Sequence, residues 1–252
     1  MSVSTETNSQ VGGFTYEGKD LDSMSKANNY HNWILDHFSK YVTPGTILEV
    51  GAGMGSFTEA ILNRYPDNKL ISLEPSNEMY PRLEKLVSGK QSQGLSVDAQ
   101  KVFTFEAVKK LKKEGITNII YNNVLEHIED DLGELKTAYD ILDVGGHVLS
   151  FSPALPQLYG AFDKSVDHVR RYYLKDMKQK FTEAGFDITE AYYFDFVGMI
   201  LWWGKFKLLK SDDISSGNVE LFDKFFVPVL SALEPSKLLP CGKNVLVIGR
   251  KS

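Results

Sequence analysis

A strand that runs straight into a glycine-rich turn and then a helix leaves few folds open, and Thr46 to Thr58, TILEVGAGMGSFT, has that order. Thr46 to Val50 is a short β-branched and apolar run that reads as a buried strand. Gly51, Gly53 and Gly55 follow at once, and Phe57 to Tyr65 continue in helical order. Glycine permits positive φ and lets a ligand reach the main chain with no Cβ in between, while the first N–H groups of a helix are unpaired and attract negative charge. The turn is therefore a candidate nucleotide cradle, although the same order also serves as a plain strand-to-helix connection. Spacing separates two kinds of cradle. A dinucleotide fingerprint wants its third glycine where Ser56 stands, whereas this chain has it one residue earlier and carries an acid, Glu49, inside the strand end.

This E-x-G-x-G-x-G resembles motif I of the class I S-adenosylmethionine-dependent methyltransferases. The resemblance implies an α/β fold: a three-layer, Rossmann-like, seven-stranded and mostly parallel sheet with its last strand antiparallel. It also implies S-adenosylmethionine as cofactor, with Glu49, Gly51, Gly53 and Gly55 around it. Lys69 to Leu73 reads as the second strand and ends at Glu74. An acid about 20 residues past the glycines, at a strand end, is placed to accept hydrogen bonds from ribose hydroxyls. In the family the next positions line the adenine pocket, which assigns Pro75 and Ser76; Ser76 also reads as the N-cap of a helix through Leu86. Leu95 to Val97 and Val102 to Phe105 compete to be the third strand, followed by a charged helix from Glu106 to Glu114. If the former is right, SVDAQ resembles the family's short acidic motif and Asp98 faces the adenine amino group; a surface acid is the other reading. Upstream, Tyr30, Ile34 and Phe38 recur at helical steps between Leu21 and Tyr41, a stripe that packs on the sheet. In the family a segment like NNYHNWI closes over the methionine end of the cofactor, so Tyr30 is its candidate contact.

Ile116 to Asn122 reads as the fourth strand, and NVLEHIEDD after it resembles motif IV of a methyltransferase subfamily with an N-V-L-E-H-I signature. The carboxyl end of a central strand is where open α/β sheets bind ligands, so Asn122, Asn123, Glu126 and His127 are expected near the methyl group; His127 reads equally as a structural residue. His147 to Pro153 is the fifth strand. Behind it, PALPQLYGAFDKSVDHVRRYY interleaves proline, glycine and aromatics with histidine and arginine, the composition of a binding loop more than of a salt-bridged surface. It matches the family segment P-x-x-x-x-L-Y-G-x-x-D-x-x-x-x-H-x-R-R-Y, which assigns Tyr159, Asp163, Arg170, Arg171 and Tyr172 to the acceptor. His168 is the candidate general base, its ring oriented by a carboxylate, with His127 as the alternative. Leu174 to Ala184 is a helix, Asp187 to Phe194 the sixth strand and Asn244 to Ile248 the last. About fifty residues separate those two strands, where the core needs only a hairpin. This apolar, aromatic stretch, about 196–243, reads as a helical insertion: a lid, a dimer face or a membrane-surface element.

Composition trims the alternatives. With 252 residues and 42% hydrophobic content, one domain over 14–252 is expected behind a frayed polar segment, 1–13. A net charge of -5 offers no broad field for nucleic acid, so a small-molecule acceptor is favoured, including an apolar or lipid-linked one suggested by the WW pair. The single cysteine allows no internal disulfide, and the five histidines are too scattered to claim a metal, so none is expected. MSVSTETNSQ lacks the basic start and apolar core of a secretory signal, and no apolar stretch approaches the roughly 20 residues of a membrane span. A cytoplasmic enzyme is expected. A nicotinamide oxidoreductase, which shares the glycine turn and the acid, and a non-catalytic protein that only binds S-adenosylmethionine are the competing functions.

Overall fold

The computed structural model describes residues 27–204, 216–233 and 239–252. The expected frayed segment 1–13 and the first part of the N-terminal helix lie outside them. Seven strands form one sheet: β1 (Thr46–Val50), β2 (Lys69–Leu73), β3 (Val97–Gln100), β4 (Ile116–Asn122), β5 (His147–Pro153), β6 (Asp187–Phe194) and β7 (Asn244–Arg250). Their order is β3-β2-β1-β4-β5-β7-β6. The first five are parallel, and β7 runs antiparallel to both β5 and β6. The order reverses between β1 and β4, which puts the ligand crevice at their carboxyl ends.

Helices cover both faces because successive strand residues point opposite ways. Leu48, Ile119 and Val148 meet a core that holds Leu111 of α4 (Thr104–Leu111), Leu135 of α5 (Asp131–Ile141) and Phe181 of α7 (Leu174–Glu183). Ile47, Ile120 and Leu149 face the other side. That side holds Phe38 of α1 (Asn28–Phe38), Ile61 of α2 (Ser56–Arg64) and Leu83 of α3 (Tyr80–Gln91). Trp33, Leu35 and Phe38 of α1 are buried, each worth about 1.5–3 kcal/mol against exposure.

Six strands start and stop within two residues of their reading from sequence; β3 differs. It begins at the last residue of one candidate run and ends before the other, so Val102 to Phe105 is instead the loop and first turn leading into α4. Paired only with β2, this edge strand carries little apolar signal of its own. A short α6 (Ala161–Ser165) follows β5. Between β6 and β7 stand α8 (Phe196–Trp203), α9 (Ser216–Phe225) and α10 (Val227–Leu233).

Candidate active site

The carboxyl ends of the parallel strands open into a cavity of about 810 Å³. Its floor is the glycine turn. Gly51 and Gly53 have φ of +68° and +57°, the left-handed region that side chains disfavour. A Cβ on Gly51 would stand 2.7 Å from Val124 Cγ2, whereas the nearest atom at Gly53 is Met79 Sδ at 3.9 Å. Close packing thus requires the first glycine, and the second leaves bare backbone facing the cavity. Glu74 closes the turn from β2: Oε2 accepts from Gly53 N at 2.7 Å and Oε1 from Ser76 N at 2.8 Å. Burial raises its pKa and these two donors pull it back. Each oxygen retains a lone pair for a ligand hydroxyl.

Tyr30, Gly51, Gly53, Glu74, Pro75, Asn122 and Asn123 all line this cavity. Asn122 Oδ1 is buried there without a hydrogen-bond partner, as is His31 Nδ1. Burial lowers the His31 pKa to about 4. Asn123 adopts φ +54° with its N–H on Phe151 O at 2.8 Å. The bare turn, the strand-end carboxylate and the orphaned amide oxygen suit a ligand that brings hydroxyls and donors, as S-adenosylmethionine does.

Four residues expected at the cofactor lie off the cavity wall. Glu49 is buried beneath the turn, where it accepts from Thr58 Oγ1 at 2.6 Å and Ser72 Oγ at 2.7 Å and so ties α2 and β2 to β1. Burial raises its pKa to about 7 despite these bonds. Gly55 caps α2 against Leu83, where a Cβ would come within 3.1 Å. Ser76 is buried, its Oγ accepting from Glu78 N at 3.2 Å. Asp98 accepts from Gln100 Nε2 at 2.8 Å and lies 3.9 Å from Lys110 Nζ; Val102, Phe103, Thr104 and Phe105 form the wall beyond β3 instead.

The loop after β5 divides similarly. His168 and Arg171 reach the cavity, as does His127, whereas Tyr159, Asp163, Arg170 and Tyr172 do not. Fully buried Asp163 receives Gly160 N at 2.9 Å and Arg171 Nε at 2.7 Å, and its Oδ1 lies 2.8 Å from His168 Nδ1. A carboxylate only accepts, so the proton of a neutral His168 sits on Nδ1 and the lone pair on Nε2. Burial would raise the Asp163 pKa, but the hydrogen bonds from His168 and Arg171 hold it below the usual carboxylate range. Tyr159 donates to His168 O at 2.6 Å. Arg170 turns outward to Asp131 Oδ2 at 2.9 Å and Glu129 O at 2.8 Å, and the Tyr172 hydroxyl is held between Leu125 O and Asp131 Oδ2. These four shape the loop; the matched pattern mixes residues that touch the cavity with residues that brace it.

Two histidines far apart in the chain meet here. The His127 ring lies 4.7 Å from that of His168, and burial followed by the charge of His168 lowers its pKa to about 4. Fully buried Glu126 places Oε1 3.8 Å from His168 Nε2. Neither of its oxygens has a hydrogen bond of full geometry. Burial raises its pKa to about 7, against the pull of His168 and nearby Ser152.

The roof was not legible residue by residue. Leu201, Phe222, Asp223, Val227, Lys243 and Asn244 line the cavity from α8, α9, α10 and the start of β7. Asp223 accepts from Asn29 N at 3.0 Å and Tyr30 N at 2.8 Å, clasping α9 onto the first turn of α1. The Tyr30 hydroxyl reaches Asp195 Oδ2 at 3.0 Å and Asn244 Oδ1 at 3.2 Å. The signal for Lys243 and Asn244 is topological: the amino end of an antiparallel strand lies beside the carboxyl ends of the parallel ones. The Trp202 side chain lies outside the described residues.

A family model described as a methyltransferase domain matches residues 24–191. Malonyl-[acyl-carrier protein] O-methyltransferase 1 of Ilyobacter polytropus is 27% identical over 153 residues, 58% of this chain and 54% of its own, so the match spans about half of that relative. Among solved structures, a SAM dependent methyltransferase from Archaeoglobus fulgidus is similar with a TM-score of 0.61 at 13% identity, over 92% of this chain and 97% of its own. A Haemonchus contortus phosphoethanolamine N-methyltransferase 2 in complex with S-adenosyl-L-methionine has a TM-score of 0.56 at 13% identity, covering 95% of this chain and 54% of its own. At those identities the structures show the fold alone. With the family model covering most of the chain, the protein belongs to the class I S-adenosylmethionine-dependent methyltransferases, and S-adenosylmethionine is its cofactor.

Proposed function

We propose that the enzyme methylates a small acceptor that carries an acidic group, with the acceptor's nucleophilic atom at the His127 and His168 end of the cavity. The carrying observation is Asp163, which orients both His168 and Arg171 while those two side chains line the same cavity as the glycine turn. The cofactor supplies a methyl group on a positively charged sulfur. The chain's own task is to align the acceptor and free its lone pair. His168 is the residue we assign to freeing it, and Arg171 with Lys243 to the acidic group. Burial lowers the Lys243 pKa against the pull of Asp195, whose Oδ2 lies 3.7 Å from its Nζ; on the cavity wall that amine also presents positive charge toward an acceptor. The malonyl group named for the Ilyobacter relative bears such an acidic group. The braced residues Tyr159, Asp163, Arg170 and Tyr172 serve the acceptor by holding this loop in shape.

We read 14–252 as one domain, with 196–243 as an insertion roofing the cavity, and a cytoplasmic setting as the one that suits a chain with a single cysteine. No helix among the described residues is long and apolar enough to cross a membrane. A second reading, an apolar or lipid-linked acceptor, is favoured by exposed Ile200, Trp203, Phe225, Phe226 and Val229 on the roof helices.

The test is single-turnover transfer from labelled cofactor to acid-bearing acyl thioesters and to the same compounds with the acid esterified. The free acids are expected to accept at least tenfold faster. His168→Gln is expected to slow transfer at saturating cofactor and to remove the fall in rate that the wild type shows as the medium becomes acidic. Equal transfer to acid and ester would remove the acidic-group reading, and an unchanged rate in His168→Gln would remove that residue's role.

A further inference from the structure

Glu126, His127 and His168 come together where the turn after β4 meets the loop after β5, and each offers one atom to a cluster whose members all lie within 4.8 Å of one another. We propose that these three side chains bind one divalent transition-metal ion, with an open position toward the acceptor end of the cavity. The spacing suits an ion better than a hydrogen bond. Glu126 Oε1 and His168 Nε2 are 3.8 Å apart, too far for the former and readily spanned by two ligand bonds of about 2.1 Å. Neighbouring ligands around a tetrahedral ion stand about 3.4 Å apart, so the widest pair must draw in by up to about 1.4 Å, within reach of side-chain rotation.

Burial gives an independent reason. Glu126 is fully buried and neither oxygen has a hydrogen bond of full geometry, the nearby Ser152 and its own backbone N–H giving only partial support; such burial is costly for a charged carboxylate unless a cation or proton meets it. The histidines are set up from behind. Asp163 holds His168 Nδ1 at 2.8 Å and the Asp167 carbonyl hydrogen-bonds the His127 ring; such outer partners fix the tautomer and orientation of ligating imidazoles. Two imidazoles and one carboxylate suit Zn²⁺, Co²⁺, Fe²⁺ or Mn²⁺, and three protein ligands leave a place for an exogenous oxygen. The local charge is consistent with this. Asp163 offsets Arg171, so Glu126 alone opposes the ion, and the remaining positive charge favours an anionic acceptor.

This assignment rests on the acceptor reading above and deepens it by saying how His168 acts. A hydroxyl beside a divalent ion loses its proton to solvent more readily, so His168 assists as a ligand and not as the proton's first recipient.

Chelator-stripped full-length protein is titrated with Co²⁺, following visible d–d absorption and equilibrium dialysis, with S-adenosylmethionine affinity measured by calorimetry on the same samples. One Co²⁺ per chain is expected at micromolar concentrations. Glu126→Gln and His168→Gln should each weaken it about tenfold or more while cofactor affinity stays within about twofold. Should either variant lose cofactor binding through misfolding, the wild type still decides: bound Co²⁺ should broaden the ring signals of His127 and His168 ahead of those of His31, His37 and His147. Absence of stoichiometric Co²⁺, equal affinity in folded variants, or broadening centred on other histidines overturns the site and leaves a proton on Glu126 as what offsets its burial. The acceptor reading fails separately: full methyl transfer in chelator sinks the ion's role alone, and a loaded site with no transfer to any acid-bearing acceptor sinks the reading alone.

Discussion

The two ends of the cavity are built from different materials. At the glycine turn the ligand-facing groups are backbone and one strand-end carboxylate, all within Gly51 to Glu74 and all fixed by the pairing of β1 with β2. At the acceptor end they are side chains from separate segments: His127 after β4, His168 and Arg171 after β5, Leu201 and Phe222 from the roof and Lys243 before β7. A backbone site has few ways to be repaired and a side-chain site has many. Damage at the first end should therefore be larger and more specific to the cofactor.

The largest effect is expected at Gly51. A valine there would take a backbone with φ +68° and a Cβ 2.7 Å from Val124, a combined strain of roughly 3 kcal/mol or more, equivalent to over a hundredfold in cofactor affinity if the turn deforms to relieve it. Calorimetry with S-adenosylmethionine checks this; a loss under tenfold would mean the turn is more compliant than its packing indicates. Glu74→Ala comes next. Removing a carboxylate that holds Gly53 N and faces ligand hydroxyls should cost about 1.5–3 kcal/mol, tenfold or more in cofactor affinity, with acceptor KM little changed.

The same difference in material explains what could be read from the chain. β1, β2, β5 and β6 were legible to the residue, because β-branched runs bounded by glycine, proline or charge carry local information. Glu74 was legible because its distance from the glycines follows from one helical crossover. The acceptor end was legible only as a segment. Within D-x-x-x-x-H-x-R-R-Y nothing local tells Arg171, which reaches the cavity, from Arg170, which turns back to Asp131. Five histidines looked scattered because the meeting of His127 and His168 is tertiary. Asp223 and Lys243 could not be assigned, since their place depends on how the roof helices and an antiparallel strand close over the crevice.

Two buried ionisable groups at the glycine-turn end oppose each other in pH dependence. His31, on the cavity wall, has its pKa lowered from 6.5 to about 4, and Glu49, beneath the glycine turn, has its pKa raised from 4.5 to about 7. Between pH 6.5 and 4 the unfolded chain binds more protons at position 31 than the folded one, so this residue makes stability fall as pH falls. Between pH 4.5 and 7 the folded chain binds more at position 49, so that residue makes stability fall as pH rises. The two nearly cancel over their shared window. His31→Phe should therefore tilt the profile downward with rising pH and Glu49→Gln should tilt it upward, each by up to about 1.4 kcal/mol per pH unit. Denaturant unfolding across that window measures both slopes, and parallel profiles would show that neither group is as buried in solution as in the structure.

The smallest effect tests whether the roof belongs to the acceptor. Leu201 is half exposed yet lines the cavity, whereas neighbouring Trp203 is equally exposed and does not. Both follow Asp195, whose Oδ1 caps α8 at Gly198 N and whose Oδ2 holds the Tyr30 hydroxyl, so α8 keeps its place when either side chain is cut back. Truncating Leu201 to alanine removes apolar wall worth about 1 kcal/mol to a ligand that covers it. That corresponds to a roughly fivefold higher KM for an acceptor with an apolar portion, with S-adenosylmethionine affinity held within about twofold. Trp203→Ala should leave both constants in place for a soluble acceptor and lower turnover only when the acceptor is presented in lipid vesicles, because its ring is available to a surface and not to the cavity. If both truncations instead weaken cofactor binding to the same degree, α8 supports the fold as a whole, and the division between a backbone-built cofactor end and a side-chain-built acceptor end does not extend to the roof.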